Sequence, residues 1–369
     1  MSPDPARLST SDLRHEVLDG VAEGRPRTGP LDMHVDVTNT CNAACISCWD
    51  HSPLLDTPRP RSWKRHRIDR DRFLGLVDEL AALGSVRSFV ISGMGEPLTH
   101  PDIYELIAAV KAQGWRLTVI SNLIAAKIDR LASSGVDRLL VGVHGATPAT
   151  YSAFHPGWTE AEFFRLCSHL RVLRRAGVSA RHVHVITRET APEVVQMVGF
   201  GRLFDADRVN FKLASLGEGT QACGIDATQR DWLLAEGIPA AREAAAAQGV
   251  STNLDLFEAQ VRAAESDLRT TTPMQEVGCF MGYVYTRITV DLEVLYCCNT
   301  TVRVGSLHDG SFAALWEGPA WQGLRDRARA GRLWPGCERC GKFEQNVKWS
   351  ERFAEHAGVQ AWRAATGNG

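Results

Sequence analysis

Between Leu31 and about Leu213 the chain alternates six short β-type runs with helical ones, and that alternation narrows the fold more than any other feature. The runs are MHVDV (33–37), SFVIS (88–92), RLTVIS (116–121), RLLVGV (138–143), HVHVIT (182–187) and RVNFKL (208–213), each rich in apolar and β-branched residues. Helical segments at about 71–83, 101–113, 125–134, 160–176 and 191–204 separate them. Pro101 can open the second of these helices, and Gly84, Gly114, Gly135 and Gly177 stand where helix ends need a left-handed residue. Six β/α units predict a parallel sheet with right-handed crossovers. Residues 226–248 then read as an alanine-rich helical linker, interrupted near Pro239.

The cysteines say what the loops after these strands hold. Cys41, Cys45 and Cys48 follow the first run in TNTCNAACISCWDHSPLL, spaced C-x3-C-x2-C. Three thiolates can hold three corners of a cubane iron-sulfur cluster and leave the fourth iron open. Zinc, with His51 as a fourth ligand, is the alternative. A second set comprises Cys279, Cys297, Cys337 and Cys340. The stretch between the first two reads as a β-hairpin, YTRITV then EVLYC, whose turn brings them together, and CERC supplies the last two. Cys298 could replace Cys297, but strand alternation sends adjacent side chains to opposite faces and favours Cys297. A zinc ribbon would use the same four residues.

With its first cysteine set placed after a first strand, the chain resembles the radical S-adenosylmethionine (SAM) superfamily. Gly93, Met94, Gly95, Glu96 and Pro97 are similar to that family's glycine-glycine-glutamate-proline motif, with Met94 where a glycine is commoner. Ser121 and Asn122 end the third run, and His144 lies in the small and polar segment 141–157 after the fourth. The resemblance implies SAM contacts at Gly93, Met94, Gly95, Glu96, Ser121 and Asn122. His144 is a contact or a wall residue, and Arg188 is a candidate for a carboxylate of SAM or substrate. The family often has an aromatic residue where Ser47 stands, a place Trp49 could fill against the adenine. His184, Asn210 and Lys212 are further cavity candidates.

The C-terminal segment resembles the shortened SPASM domain called a twitch domain, which implies one auxiliary [4Fe-4S] cluster on Cys279, Cys297, Cys337 and Cys340. The implied fold is α/β: a partial (β/α)6 TIM-type barrel with a small C-terminal β-hairpin-plus-helix iron-sulfur domain. The expected divisions are an N-terminal extension (1–30), the barrel (31–220), a helical linker (221–270), the twitch domain (271–348) and a tail (349–369). The implied cofactors are two [4Fe-4S] clusters and SAM, with a flavodoxin- or ferredoxin-type electron donor.

The chain has 369 residues and a formal net charge of -2, which argues against a nucleic-acid partner. The basic run 59–70 reads as a solvated loop rather than an RNA footprint. The N-terminus lacks a signal-peptide core and no segment reaches membrane-span length, so the expectation is a cytoplasmic protein without a membrane partner. Ten cysteines in a reducing compartment then point to metal rather than disulfides. An iron-sulfur regulator or a zinc-stabilised RNA-binding protein would leave GMGEP and TVISN without a task.

The first expectation for function resembles the work of twitch-domain dehydrogenases: oxidation of a secondary alcohol on a sugar, aminocyclitol or aminoglycoside in antibiotic biosynthesis. Epimerisation of such a carbinol follows, with Cys223 as hydrogen donor if it is more than a chance loop cysteine. Peptide modification is third. Cys167 reads as core.

Overall fold

A computed structural model describes residues 9–264, 270 and 272–367. Six parallel strands carry the expected repeats: β1 (Asp32–Asp36), β2 (Ser88–Ser92), β3 (Arg116–Ser121), β4 (Arg138–Gly142), β5 (Ala180–Ile186) and β6 (Arg208–Leu213). Three more follow near the C-terminus, β7 (Tyr285–Ile288), β8 (Glu293–Leu295) and β9 (Arg303–Ser306). All nine form one sheet in the order β6-β5-β4-β3-β2-β1-β7-β8-β9.

Alternation along the strands sorts the sheet into two faces. Met33, Val35, Phe89, Ile91, Leu117, Val119, Leu139 and Val141 point one way and are fully buried, each contributing about 1.5–3 kcal/mol by leaving water. They pack under the crossover helices. The other face carries Asp32, His34, Asp36, Ser88, Ser92, Arg116 and Arg138 among Val90, Ile120, Leu140, Val183 and Val185, so the inside of the partial barrel mixes charged and polar groups with apolar ones.

The helices form where caps and spacing agree. Arg70–Ala82 starts at Asp69, whose side chain accepts from the amides of Asp71 and Arg72, and it buries Phe73, Leu76, Val77 and Leu80 at helical spacing. Glu160–Arg175 opens with a capping box between Thr159 and Glu162. Gly84, Gly114, Gly135 and Gly177 all have positive φ, between 68° and 75°, as helix endings require. Pro101 lies in a turn ahead of Ile103–Ala112 rather than in its first turn. The linker breaks where expected: a π-helical turn, Leu233–Gly237, precedes Ile238–Gln248, because Pro239 offers no amide to the ladder.

Three differences bear on the site. The hairpin β7–β8 does not stand apart from the barrel, since β7 runs parallel to β1 with Asp32 opposite Tyr285 and His34 opposite Arg287. Helix Thr10–Glu23 lies in the N-terminal extension and helix Phe343–Thr366 occupies the expected tail. The two meet through His356 and Asp19, 2.7 Å apart, while the buried Trp316 indole donates to the carbonyl of Thr28 at 2.8 Å. The described residues near both ends are therefore part of the packed structure. The expected 270/271 boundary falls where residues 265–269 and 271 lie outside the described residues.

Candidate active site

The loops after β1, β2 and β3 meet at the C-terminal end of the barrel. Room for this contact comes from two glycines: a Cβ on Gly93 would stand 2.3 Å from the Thr38 carbonyl oxygen, and one on Gly95 would stand 2.2 Å from that of Thr40. The Gly95 amide donates to Thr38 O at 3.1 Å and the Glu96 amide to Thr40 O at 2.9 Å. The cysteine loop thus rests directly on the GMGEP loop.

Glu96 joins the third loop to these two. Its buried carboxylate accepts from Ser121 Oγ and the Asn122 amide, both at 2.7 Å, and from the Leu98 amide at 3.0 Å. Burial raises its pKa to about 6 against those hydrogen bonds. Asn122 Nδ2 donates to Asn42 Oδ1 at 2.9 Å, closing the ring back to the cysteine loop. Sequence reasoning brought together Gly93, Met94, Gly95, Glu96, Ser121 and Asn122, and the structure does the same.

Cys41, Cys45 and Cys48 lie within electrostatic reach of one another. Burial pushes the Cys41 thiol up to about 12 and raises those of Cys45 and Cys48. Three mutually destabilised thiols suit a cation that takes their protons. Backbone amides of Asp50 and His51 point at Cys48 Sγ at 3.5 and 3.3 Å, ready to stabilise a thiolate. Among the described residues no three His, Cys, Asp or Glu side chains close on a single-ion position. Of the other residues near this loop, Trp49 is 57% exposed, its indole donating to the Ser215 carbonyl. It bridges to the loop after β6.

The second set gathers beyond β8. Cys297, Cys298 and Cys340 are linked through their thiols, with Cys298 in the middle. Cys279 and Cys337 lie within electrostatic reach of Cys298. Strand alternation therefore does not separate Cys297 from Cys298: β8 ends at Leu295, and the two thiols turn to the same side. Two observations rank them differently. The thiols of Cys297 and Cys340 donate to Cys298, which makes it the acidic member. Cys297 instead shares a backbone pattern with four of the other six cluster cysteines, Cys45 and Cys337 being the exceptions, whereas the amide facing Cys298 comes from Gly341. An amide two residues on faces the sulfur at Cys41 (Ala43), Cys48 (Asp50), Cys279 (Met281), Cys297 (Asn299) and Cys340 (Lys342). The amide pattern is the better guide, because the acidity of Cys298 depends on its neighbours' protons, which metal would remove.

The remaining expected residues are spread more widely. His144 has φ of 62° and stacks on Phe154 with ring centres 4.4 Å apart. Its Nδ1 accepts from the Val185 amide at 3.1 Å, and burial holds it well below its usual pKa. It is a neutral ring built into the wall. Arg188 is exposed, its amide bonded to the Cys223 carbonyl at 2.8 Å. Cys223 is buried and packs with Ile46, Phe154 and Cys45, its thiol donating to Ile46 O at 3.6 Å. Asn210 and Lys212 lie on the polar face of β6, whereas His184 lies on the opposite face, against Phe211. Cys167 is buried in the main core.

Sequence reasoning missed the cavity itself. It has a volume of about 640 Å³ and lies between the SAM-motif side, with Asn39, Trp63 and Met94, and the hairpin side, with Thr289, Asp291 and Thr301. The signal was available only in three dimensions, since these residues are far apart in the chain. Inside the barrel beside it, Asp36 pairs with Arg287 at 2.8 Å and with Ser92 Oγ at 2.8 Å, and Arg287 also reaches Met94 Sδ at 3.9 Å.

Comparison with known proteins places both cysteine sets within matched domains. The radical SAM superfamily pattern matches residues 35–200, and an iron-sulfur cluster-binding domain, SPASM, matches residues 279–341. The chain carries a radical SAM domain and a C-terminal SPASM domain. It is an enzyme of the radical SAM type, with SAM and a [4Fe-4S] cluster in the first domain and further iron-sulfur in the second. The residues fit these groups in their chemistry: each domain presents a set of half-buried thiols within electrostatic reach of one another, with backbone amides aimed at sulfur.

The AdoMet-dependent heme synthase of Methanosarcina barkeri is 22% identical over 304 residues, 79% of this chain and 83% of that protein. A PqqA peptide cyclase of Gluconobacter oxydans is 25% identical over 187 residues, 49% of this chain and 48% of the cyclase; the chain thus spans about half of that relative. In fold, SuiB of Streptococcus suis, solved with its precursor peptide SuiA, matches with a TM-score of 0.61 at 17% identity, over 84% of this chain and 70% of SuiB. Among the described residues no helix is long and apolar enough to cross a membrane.

Proposed function

We propose that this radical SAM enzyme oxidises a secondary alcohol of a small sugar, aminocyclitol or aminoglycoside to a ketone. The cavity of about 640 Å³ between the GMGEP loop and the β7–β9 segment carries the reading, because its walls present hydroxyls, carboxylates and guanidinium groups and come from segments next in sequence to the two cysteine sets, with Asn39 before Cys41 and Leu295 before Cys297. When bound, SAM and the first cluster supply a 5'-deoxyadenosyl radical, and the auxiliary cluster supplies a one-electron acceptor.

The chain's own residues have distinct tasks in this reading. Cys41, Cys45 and Cys48 hold the first cluster, and Cys279, Cys297, Cys337 and Cys340 the second. Gly93, Met94, Gly95, Glu96, Ser121 and Asn122 hold SAM, with His144 fixing the wall. Thr289, Thr301 and Glu293 orient substrate hydroxyls or amines. Hydrogen abstraction at the carbinol leaves a carbon radical, which becomes a ketone by losing the hydroxyl proton and one electron. Asp291 receives that proton; it lines the cavity and its carboxylate is bonded to His66 Nδ1 at 2.9 Å, a route to solvent. An acidic flavodoxin- or ferredoxin-type protein supplies the electron that starts each turnover.

A second reading, epimerisation, is favoured by one observation. Cys223 packs beside Cys45, on the side of the barrel where the radical arises, and its thiol hydrogen could quench a substrate radical.

The test uses anaerobically reconstituted protein with dithionite and SAM, a panel of aminocyclitols and aminoglycosides, and candidate precursor peptides. One 5'-deoxyadenosine per product and a loss of two hydrogens from a small substrate are expected. Unchanged mass with one solvent deuterium establishes the epimerase instead, and conversion of peptides alone overturns both readings.

A further inference from the structure

The end of the barrel opposite the cysteines is lined with arginine. Arg116 opens β3, Arg138 opens β4, Arg208 opens β6, and Arg181 is the second residue of β5. The register places them at adjacent inward positions: Ser88 opposite Arg116, Thr118 opposite Arg138, Leu140 opposite Arg181, and Arg181 opposite Arg208. Four neighbouring strands thus each direct a guanidinium to the same N-terminal mouth.

The Nε atoms of Arg138, Arg181 and Arg208 are all buried, and none has an acceptor among the described residues. Arg208 donates one terminal N–H to Thr252 O at 3.0 Å. Two carboxylates stand near: Asp137, held by Lys111 at 2.5 Å and the Leu117 amide at 2.7 Å, also feels Arg116, and Asp207, bonded to Ser179, feels Arg181, so four guanidinium groups face two carboxylates. Burial, and then the charges of Arg138 and Arg208, hold Arg181 below its usual pKa, with Asp207 acting in the other direction.

A cavity of about 400 Å³ opens at the same end and shares Arg116. Its walls add Arg14, Lys348 and Arg352, and their one carboxylate among the described residues is Asp32. That carboxylate accepts from Ser88 Oγ at 2.5 Å and Gln345 Nε2 at 2.6 Å. One carboxylate leaves the positive charges of Arg14, Arg116, Lys348 and Arg352 in excess. Like charges gathered in a partly buried mouth destabilise one another, and buried donors without acceptors cost stability. An anion reverses both effects.

We propose that this mouth binds a compact phosphate-class anion, either free pyrophosphate or the diphosphate of a small molecule, at a site separate from the SAM end. Phosphate suits the geometry better than a carboxylate does. Guanidinium forks approach from four strands, and a diphosphate offers acceptor oxygens in several directions whereas a carboxylate offers two. The site lies at the strand N-termini, so its occupation leaves the C-terminal loops free for radical chemistry.

Isothermal titration of the reconstituted holoenzyme in 0.15 M-range potassium chloride, roughly physiological screening, tests this with inorganic pyrophosphate and ADP as probes. Saturable binding of pyrophosphate is expected, weakened about tenfold or more by Arg116→Gln and by Arg181→Gln, as loss of a charge-assisted hydrogen bond requires. Arg116 is exposed, so its variant keeps the test valid if Arg181→Gln fails to fold. ADP binding at comparable strength identifies a phosphorylated small molecule, and pyrophosphate alone identifies the free anion. The proposal is overturned if neither probe binds, if added potassium chloride at matched ionic strength gives the same heat, or if both variants bind as the unmodified protein does. Displacement of pyrophosphate by polyglutamate at equal charge would overturn it in favour of an acidic protein surface.

Discussion

Ser121 Oγ donates to the buried carboxylate of Glu96 across 2.7 Å, joining the end of β3 to the loop after β2. The contact explains why a serine and a glutamate 25 positions apart belong to one site. Ser121→Ala leaves a buried carboxylate short of a donor, which costs about 1–3 kcal/mol. Denaturant unfolding should register that loss, and equilibrium dialysis should show weaker SAM binding. SAM binding at unmodified strength would mean the bridge does not shape the site.

Gly95→Ala should remove the first cluster without removing the second. Its Cβ would fall 2.2 Å from Thr40 O and 2.6 Å from the Asn39 carbonyl carbon, so the cysteine loop must lift from the GMGEP loop. Iron analysis and Mössbauer spectroscopy of the reconstituted variant should find the auxiliary cluster retained and the SAM-binding cluster depleted. Equal retention of both would show that the loop contact can yield.

Much of this was legible in the chain. Strand runs such as SFVIS and RVNFKL were readable because β-branched and apolar residues recur between helix-ending glycines, and the tight C-x3-C-x2-C and GMGEP spacings are local. Residues 285–295 read correctly as a hairpin, but not as a hairpin joined to the barrel, because pairing of Asp32 with Tyr285 is a long-range event without a local signature. The orientation of Cys298 was also hidden: alternation holds only while a strand lasts, and β8 ends three residues earlier, at Leu295. His184 is a cavity candidate by residue type alone, and a polar side chain does not announce that it packs against Phe211 on the opposite face.

His182 predicts how the fold responds to acid. Its ring is buried against Phe200 and Phe204, neither nitrogen has a partner among the described residues, and burial lowers its pKa to about 4 from 6.5. The unfolded chain binds the proton first, so stability is intact above pH 6.5 and falls as pH drops through the window toward 4. The shift corresponds to about 3 kcal/mol at the acid end. His182→Leu should make the fall shallower in the cluster-free protein across that window, with His34, His144, His155 and His184, whose pKa values burial also lowers, supplying the remainder, measured by urea unfolding at several pH values. An unchanged slope would place the acid sensitivity elsewhere.

Cys297 and Cys298 can be separated by single substitutions. Cys297→Ser should lose the auxiliary cluster, because Asn299 N–H faces Cys297 Sγ at 3.4 Å in the arrangement that Cys279 and Cys340 share. Cys298→Ser should keep both clusters. Iron counts with electron paramagnetic resonance of the reduced proteins decide between them, and the reverse pattern would make Cys298 the ligand.

Cys340→Ala tests the central claim most directly, once a small substrate is in hand. Deoxyadenosine and ketone are measured together in single-turnover reactions of the variant and the unmodified enzyme. The variant should still form deoxyadenosine, because the first cysteine set is intact, while ketone falls to less than about a tenth, since one cluster ligand is gone. Ketone formed at the unmodified rate would contradict an auxiliary cluster that accepts the substrate's electron.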